Sequence, residues 1–274
     1  MRDLRKDRVV AAFSRAAATY DAAAVVQRRN AEQLAALVRE RVADPASLAP
    51  FLEIGAGTGL LTDRLLDMGL ARGTVTDVAP AMVDTLRERF GGRSGLTVRE
   101  LDGERFTVGE RFGAIVSAST FQWFSSLLDP LRNMRRHLND GGLLAFCLFV
   151  DGTFRELRQA ANAVGCPYPG HRLFEANEVA RAMLDAGFTV DHFASFDTPV
   201  RYPDALRFLR SVRHIGSTNA LPVPAAPGEL RRIIRRYDGD HRCADGVTAT
   251  YTTLLVLGHK RSAPRPMNNH NQGG

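Results

Sequence analysis

The chain has 274 residues, of which 45% are hydrophobic and 24% are charged. This length and composition allow the core of one large α/β domain to be buried without help from metals or disulfides. The formal net charge of +6, mostly from arginine, is compatible with nucleic acid, acidic membranes or acidic proteins as partners and does not choose between them. The sequence contains no run of eighteen apolar residues and no apolar signal-peptide core, so we expect neither a membrane span nor a secretory signal.

The three cysteines lie far apart, at Cys147, Cys166 and Cys243, and form no CxxC or Cys/His ligand spacing. This pattern argues against a metal site and against a disulfide framework. We therefore expect reduced thiols, no bound metal and a cytoplasmic location. We also expect a monomer. Nucleic acid is not expected as a partner, because no basic groove interleaved with aromatic residues is visible.

The predicted elements begin with a helical segment. Residues 5–43 are predicted to be helical, because Leu34, Ala35 and Val38 fall at helical spacing and no proline occurs before Pro45. Short apolar runs then alternate with helical patterns. The predicted strands are 50–54, 73–77, 96–101, 112–117 and 143–150, and the predicted helices between them are 60–68, 80–90 and 127–138. This alternation predicts a parallel sheet covered by helices on both faces.

Beyond residue 150 the alternation becomes less regular. We predict helices at 153–164, 175–186, 203–215 and 229–237, and strands at 188–198 and 248–257, the last of which would close the sheet. The proline-rich stretch 221–228 is predicted to be a linker. The polar tail 262–274 is predicted to be disordered.

A glycine cluster follows the first predicted strand, in the segment Glu53-Ile54-Gly55-Ala56-Gly57-Thr58-Gly59. Glycines at the carboxyl end of such a strand let the backbone approach a ligand closely. A dinucleotide fingerprint, GxGxxG, would need glycine at position 60, where Leu60 stands, so NAD binding is not supported. The spacing is instead similar to motif I of the S-adenosylmethionine (SAM)-dependent methyltransferases.

Two acids at the ends of later strands support the same interpretation. Asp77 ends the second predicted strand, where its carboxylate can accept both ribose hydroxyls, and Asp102 follows the third, where it can accept from the adenine amino group. Either acid alone fits a helix N-cap or a solvated turn equally well; together with the glycines they favour a SAM site. We expect Glu53 to hold the glycine loop or to contact the methionine amino group of SAM. The alternative is a supporting hydrogen bond that does not reach the cofactor. The predicted cofactor contacts are Glu53, Gly55, Ala56, Gly57, Gly59, Asp77, Val78, Asp102, Gly103 and Ser117.

Several stretches resemble the malonyl-[acyl-carrier-protein] O-methyltransferase family of biotin synthesis. They are Phe13 to Asp21, Phe121-Gln122-Trp123, Gly152 to Leu157, His171-Arg172 with Phe174, Leu209 to Asn219, and Tyr251-Thr252-Thr253. The resemblance runs from about residue 8 to residue 260. The chain departs from the family pattern at Gly113, where an aspartate is common, at Ala118-Ser119 and at Leu173.

The resemblance implies a Rossmann-like seven-stranded SAM-methyltransferase sheet with an N-terminal helical cap and C-terminal lid insertions. We therefore interpret residues 1–261 as one domain, divided into a cap (1–43), a cofactor-binding core (48–150), an acceptor and lid region (151–245) and a final strand (246–261). The implied reaction makes a methyl ester on the free carboxylate of a malonyl thioester carried by acyl carrier protein.

A carboxylate acceptor needs no general base, because it is already ionised at neutral pH, and we assign none; His171 and His214 are interpreted as structural. Arg172 is predicted to hold the malonyl carboxylate, since a guanidinium suits bidentate recognition; a salt bridge within the lid is the alternative. The other predicted substrate contacts are Tyr20, Gln122 and Trp123, for which packing in the core is the alternative.

Acyl carrier proteins are acidic, so a partner should expose arginines. Two predicted helices do so: Arg207, Arg210 and Arg213 lie opposite Leu206, Leu209, Val212 and Ile215, and Arg231, Arg232, Arg235 and Arg236 flank Leu230, Ile233, Ile234 and Tyr237. We predict that these arginines dock the carrier protein; a solvated helix face is the alternative for each helix. Two other functions stay open: a methyltransferase for another small acid or a quinone precursor, which needs no docking surface, and a SAM-binding regulator without turnover.

Overall fold

The computed structural model describes residues 6–214 and 227–261. The strands are β1 (Phe51–Ile54), β2 (Gly73–Asp77), β3 (Leu96–Glu100), β4 (Phe112–Ala118), β5 (Leu138–Phe149), β6 (Phe188–Tyr202), β7 (Arg242–Cys243) and β8 (Gly246–Lys260). The helices are α1 (Lys6–Ala16), α2 (Tyr20–Ala23), α3 (Val25–Arg41), α4 (Leu60–Asp67), α5 (Pro80–Phe90), α6 (Leu128–His137), α7 (Arg155–Ala163), α8 (Ala176–Asp185), α9 (Ala205–His214) and α10 (Pro227–Asp240). The predicted tail, residues 221–226 of the predicted linker and the stretch 215–219 lie outside the described residues, and Pro227 and Gly228 of that linker belong to α10.

One sheet organises the described part of the chain. Its strands lie in the order β3-β2-β1-β4-β5-β8-β6, and the two-residue β7 pairs with β8. The pairs formed by β1 to β5 are parallel, whereas β8 runs antiparallel to both β5 and β6. The predicted α/β fold with seven main strands is confirmed. The antiparallel edge was not predicted, because a hydrophobic pattern indicates which faces of a strand are buried but not the direction in which the strand runs.

The sheet is buried on both faces, as the apolar run in β5 predicts. Leu144 and Phe146 pack with α6 and α8 on one face, while Leu143 and Ala145 pack with α3, α4 and α5 on the other. Successive side chains of a strand point to opposite faces, so one unbroken apolar run supplies both cores. Complete burial of each large side chain contributes about 1.5–3 kcal/mol.

The N-terminal helical segment is broken, whereas the sequence predicted continuous helix. A 3-10 turn at Ala17–Thr19 and the non-helical Ala24 separate its parts, and Lys6–Ala23 meets Val25–Arg41 at 77°. The bend lets α3 pack on the sheet while α1 lies over the carboxyl ends of the strands. No single described helix is long and apolar enough to cross a membrane. The bent pair taken together has the length and the apolar composition of such a helix.

A third apolar cluster joins α7, α9 and α10 to α3 and β8; among its members are Val26, Phe208, Leu209, Ile233 and Tyr237. Leu206, which the sequence places in the apolar set opposite the arginines of α9, is 42% exposed, whereas Leu209 and Val212 of that set are buried. Phe208, fully buried, sets the helical phase instead. Part of the predicted lid region 151–245 belongs to the sheet, because β6 lies inside that range.

Gly113 in β4 lies where the backbone of the Pro45–Leu48 turn approaches the sheet. Its N–H donates to the carbonyl of Pro50 at 2.8 Å, and a Cβ at this position would lie 2.5 Å from the carbonyl oxygen of Leu48. Any side chain here, including an aspartate, would displace that backbone. Glycine is therefore the residue that fits this close approach of the two backbones.

We predict that Gly113→Ala lowers the free energy of unfolding by about 1–3 kcal/mol, because the added methyl group overpacks the contact with Leu48. Urea unfolding measures the change. Gly109→Ala is the matched control: a Cβ at Gly109 meets nothing within 4 Å, so its effect should stay within about 0.5 kcal/mol. Equal effects of the two substitutions would contradict the steric argument.

Candidate active site

A cavity opens at the carboxyl ends of the parallel strands and is covered by the N-terminal helices. Eight of the ten predicted cofactor contacts line it: Glu53, Gly55, Ala56, Gly57, Asp77, Val78, Asp102 and Gly103. Val9 and Phe13 of α1 line it as well, and so do Tyr20 and Trp123 from the predicted acceptor side. The structure thus brings the motif I loop, both strand-end acids and two of the four predicted substrate contacts to one cavity.

Three predicted residues support the cavity from behind its wall. Gly59 has a φ of +92°, and a Cβ there would lie 2.4 Å from the ring of Phe90, so this glycine permits the packing of α4 against α5. Ser117 is fully buried and donates to the carbonyl of Ile54 at 2.8 Å. Gln122, also buried, donates through Nε2 to the carbonyl of Ser119 at 2.6 Å. None of the three is part of the cavity lining within the described residues.

The glycine loop leaves one face open towards the cavity. A Cβ on Gly57 would meet nothing within 4 Å, whereas one on Gly55 would lie 2.3 Å from the methyl group of Thr120. Both glycines adopt the left-handed region, at φ +59° and φ +67°, which favours glycine. The open face of Gly57 is a place where the backbone can contact a ligand at van der Waals distance, as a SAM site requires.

Asp77 fixes the glycine loop. Its Oδ2 accepts from the N–H of Gly57 at 2.8 Å and its Oδ1 from the N–H of Ala79 at 2.8 Å. Burial raises the pKa of this carboxyl group, and the backbone hydrogen bonds oppose that rise. A carboxylate has about four lone-pair sites, so both oxygens keep capacity to accept from a pair of ribose hydroxyls.

Glu53 is a buried carboxyl group at the floor of the cavity, 1% exposed. Thr62 donates to its Oε2 at 2.7 Å. Burial raises the pKa of Glu53 to about 8; the hydrogen bond from Thr62 lowers it, and the charges of Asp63 and Asp77 raise it further. A nearby cation would favour the ionised form, and the ammonium group of the methionine part of SAM is such a cation.

Asp102 lines the cavity and forms an ion pair that the sequence did not predict. Lys6 of α1 reaches across to the Asp102 carboxylate and pairs with Glu104 at 2.7 Å. An adenine amino group at this position would share Asp102 with Lys6. On the opposite side, Thr58 donates to Asp21 at 2.5 Å, so α1 and α2 are both tied to the edge of the cavity.

The acceptor side is aromatic. Tyr20 lines the cavity; burial, followed by the charges of Asp77 and Asp21, raises the pKa of its hydroxyl group. Tyr20 is therefore a neutral phenol that can donate a hydrogen bond, not a base. Trp123 packs edge-on against Phe13, with centroids 5.6 Å apart, and stacks on His171 at 5.8 Å.

Arg172 lies outside the cavity. Its side chain is 69% exposed, and it forms an ion pair with Glu178 at 3.4 Å. The stack of His171 on Trp123 brings the preceding residue to the cavity wall. The structure therefore places Arg172 beside the acceptor side but not inside it.

Sequence reasoning missed Asn30, a fully buried polar residue of α3. Its Nδ2 donates to Ser119 Oγ at 3.0 Å, and its Oδ1 accepts from Thr253 at 3.2 Å. Ser119 lines the cavity and has a φ of +55°, so Asn30 holds the acceptor loop in an unusual conformation. The available signal was the position of Asn30 on the apolar stripe of α3, between Val26 and Leu34.

Comparisons with known proteins identify the domain and the fold. A family described as "Methyltransferase domain" matches residues 52–144. The solved structure of the YcgJ protein from Bacillus subtilis superimposes with a TM-score of 0.61 at 15% identity, covering 85% of this chain and 100% of that chain. The N-methyltransferase NodS from Bradyrhizobium japonicum, in complex with S-adenosyl-L-homocysteine, superimposes with a TM-score of 0.53 at 17% identity, covering 86% and 87%. At these identities the likeness concerns the fold.

The sequence relatives are more specific. The malonyl-[acyl-carrier protein] O-methyltransferase of Geobacter sulfurreducens is 38% identical over 261 residues, which covers 91% of this chain and 97% of the relative. The protein of the same name from Paenibacillus sp. is 33% identical over 262 residues, covering 89% and 95%. These relatives confirm the predicted family, enzyme class and cofactor. The chain belongs to the malonyl-[acyl-carrier protein] O-methyltransferase family and is a SAM-dependent methyltransferase.

Proposed function

We propose that this protein methylates the free carboxylate of a malonyl thioester on acyl carrier protein. The observation that carries the proposal is the acceptor side of the cavity, where a neutral phenol and an aromatic wall line the same cavity as the glycine loop. Such a wall positions an acceptor that is already ionised and needs no base. The methyl ester masks a charge, so that fatty-acid enzymes can elongate the chain towards the pimeloyl unit of biotin.

The reaction balances without proton transfer. A carboxylate oxygen forms a bond to the methyl carbon while the bond from that carbon to sulfur breaks, and the electron pair of the broken bond stays on sulfur. A sulfonium and a carboxylate are consumed, and a thioether and a neutral ester are formed. The contribution of the protein is positioning of the two reactants, which supplies a large part of the rate enhancement in such displacements.

On the cofactor side, we assign SAM to the residues that line the floor and edges of the cavity. In this assignment Asp77 binds the ribose hydroxyls, and the backbone of Gly57 contacts the cofactor next to them. Glu53 binds the ammonium group of the methionine part, and Asp102 binds the adenine amino group. The open face of Gly57 and the raised pKa of buried Glu53 support this assignment. When bound, SAM supplies an electrophilic methyl group.

On the acceptor side, we assign the malonyl carboxylate to Arg172 and the thioester arm to Tyr20 and Trp123, with Gln122 holding the loop behind them. The position of Arg172 directly after His171, which stacks on Trp123, supports a clamp at the edge of the cavity. To bind substrate there, Arg172 must exchange its partner Glu178 for the malonyl carboxylate. A salt bridge confined to the lid is the alternative that the observed pair favours.

The predicted docking arginines support a carrier protein as substrate. All seven, Arg207, Arg210, Arg213, Arg231, Arg232, Arg235 and Arg236, are exposed. They lie on two helices that share one apolar cluster. An acidic partner would be attracted to this region and its association would weaken with salt.

We predict that a methyl-transfer assay with methyl-labelled SAM gives base-labile label on malonyl-acyl carrier protein and none on free malonate. Arg172→Ala should lower kcat/KM by tenfold or more, because the carboxylate loses its cation, and Arg172→Lys should restore part of it. Arg132→Ala, which alters an exposed arginine of α6, is the matched control and should leave kcat/KM unchanged.

Each contrary result has a defined meaning. Equal transfer to malonate and to the carrier protein would favour a small-acid methyltransferase without docking. Binding of SAM without transfer to any malonyl species would overturn the proposed function in favour of a regulator. Full activity of Arg172→Ala would contradict the assignment of the malonyl carboxylate to Arg172 and would not affect the proposed function.

We predict that Glu53 makes the stability of the protein without added SAM fall as pH rises from about 4.5 to about 8. The pKa of Glu53 is about 8 in the folded state and has its ordinary value of 4.5 in the unfolded chain. Between these pH values the unfolded chain has released the proton and the folded protein keeps it, so rising pH lowers the free energy of unfolding. The slope reaches about 1.4 kcal/mol per pH unit. Urea unfolding of wild type and Glu53→Gln across this range isolates the contribution, and saturating SAM should reduce it. Parallel profiles for the two proteins would refute the assignment.

A further inference from the structure

Helix α2 connects the cavity to helix α9. Its first residue, Tyr20, lines the cavity, and the four-residue helix lies against α9. Behind this contact, Val26 shares an apolar cluster with Phe208 and Leu209. A helix of four residues is about 6 Å long. The bend after α2 therefore lies within about one helical turn of Tyr20, and α9 contacts the helix that joins the two.

Two apolar side chains are exposed on this surface. Val25, directly after the bend, is 65% exposed, and Leu206, near the start of α9, is 42% exposed. Their neighbours in sequence, Val26 and Phe208, complete the buried cluster, so neither exposed side chain is needed for it. A single exposed apolar residue is ordinary. Two of them, one directly after α2 and one on the helix that contacts α2, are informative when charged residues lie near them.

Arginines lie near both apolar side chains in the sequence. Arg28 and Arg29 follow Val25 by about one helical turn, and Arg210 follows Leu206 by the same distance, whereas Arg207 is the residue directly after Leu206; all four are exposed. None of the four forms an ion pair with an acid within residues 6–214 and 227–261. The guanidinium group of Arg28 donates to the backbone carbonyl of Asp21 at 3.1 Å.

Two of the four arginines on the second arginine helix, α10, differ in this respect. On α10, Arg236 forms an ion pair with Asp240 at 2.6 Å, and Arg232 donates to the sulfur of Cys166 at 3.1 Å. An external acidic partner would have to compete with those contacts. The charges beside Val25 and Leu206 face no such competition from the described residues.

We propose that Val25, Arg28, Arg29, Leu206, Arg207 and Arg210 form one docking surface, the α2–α9 surface, for the acidic carrier protein. The inference rests on the proposed function and narrows it: α9 and the bend hold the carrier, and α10 contributes little. Exposed apolar side chains with nearby cations that form no ion pair among the described residues fit a protein face that presents an apolar side chain among carboxylates. Its place beside Tyr20 leaves the thioester arm a short path into the cavity.

The test measures carrier binding and methyl transfer separately. Val25→Asp and Leu206→Asp put a negative charge at the apolar centre without altering the buried cluster. We expect each to weaken the binding of fluorescently labelled acyl carrier protein, measured by anisotropy, by tenfold or more. The KM for malonyl-acyl carrier protein should rise in parallel, with kcat and the Kd for SAM unchanged. Leu184→Asp, the same change at a leucine of α8 that is 54% exposed, is the matched control.

The outcomes distinguish the surface from the function. Carrier binding that is weakened by Leu206→Asp, without any methyl transfer by the wild type, supports the surface and overturns the proposed function. Unchanged carrier binding in both variants, with normal methyl transfer, overturns the surface and leaves the function standing. Loss of binding on Arg235→Glu in α10 but not on Arg210→Glu in α9 would place the carrier on the other helix and overturn the proposal.

Discussion

The geometry of the site depends on the buried carboxylate of Asp77. A buried charge is costly unless hydrogen bonds satisfy it, and here the N–H groups of Gly57 and Ala79 do so from two directions. The same contacts fix the glycine loop against the end of β2 before any ligand arrives. A loop fixed in this way loses little conformational entropy on binding. The group that holds the loop is also the group assigned to the ribose, so the order of the loop and the recognition of the cofactor have one cause.

The helices above the cavity are held in two different ways. Helix α3 packs by apolar side chains against the sheet and is fixed further by Asn30, whereas α1 is tied across the cavity by the pairs of Lys6 with Asp102 and Glu104. Lys6 and Asp102 are each about one third exposed. An ion pair of that exposure contributes about 0–1 kcal/mol. The pair of Lys6 with Asp102 therefore adds little to the hold on α1, which also rests on the buried side chains of Val9, Ala12 and Ala16.

The sequence predicts what depends on periodicity and local spacing. Alternation of apolar runs gave the strands and helices, and the glycine loop with Asp77 and Asp102 gave the cofactor edge. Contacts between distant residues, such as Asn30 with Ser119 or Lys6 with Asp102, were missed because periodicity assigns a face but no partner. The exposure of Leu206 was not predicted for a related reason: two overlapping apolar stripes exist on α9, and only the packing of Phe208 against its neighbours selects one.

The charge balance of the cavity explains why carboxylate methylation suits this site. Glu53 and Asp77 line the cofactor side, where Asp102 is paired with Lys6, and the wall formed by Tyr20 and Trp123 carries no charge. An anionic acceptor is repelled by the first side and can approach only along the second, opposite the sulfonium. Because a cation and an anion combine into neutral products, the transition state is less charged than the reactants. A cavity that excludes water therefore destabilises the separated charges more than the transition state, and this difference favours the reaction without a base.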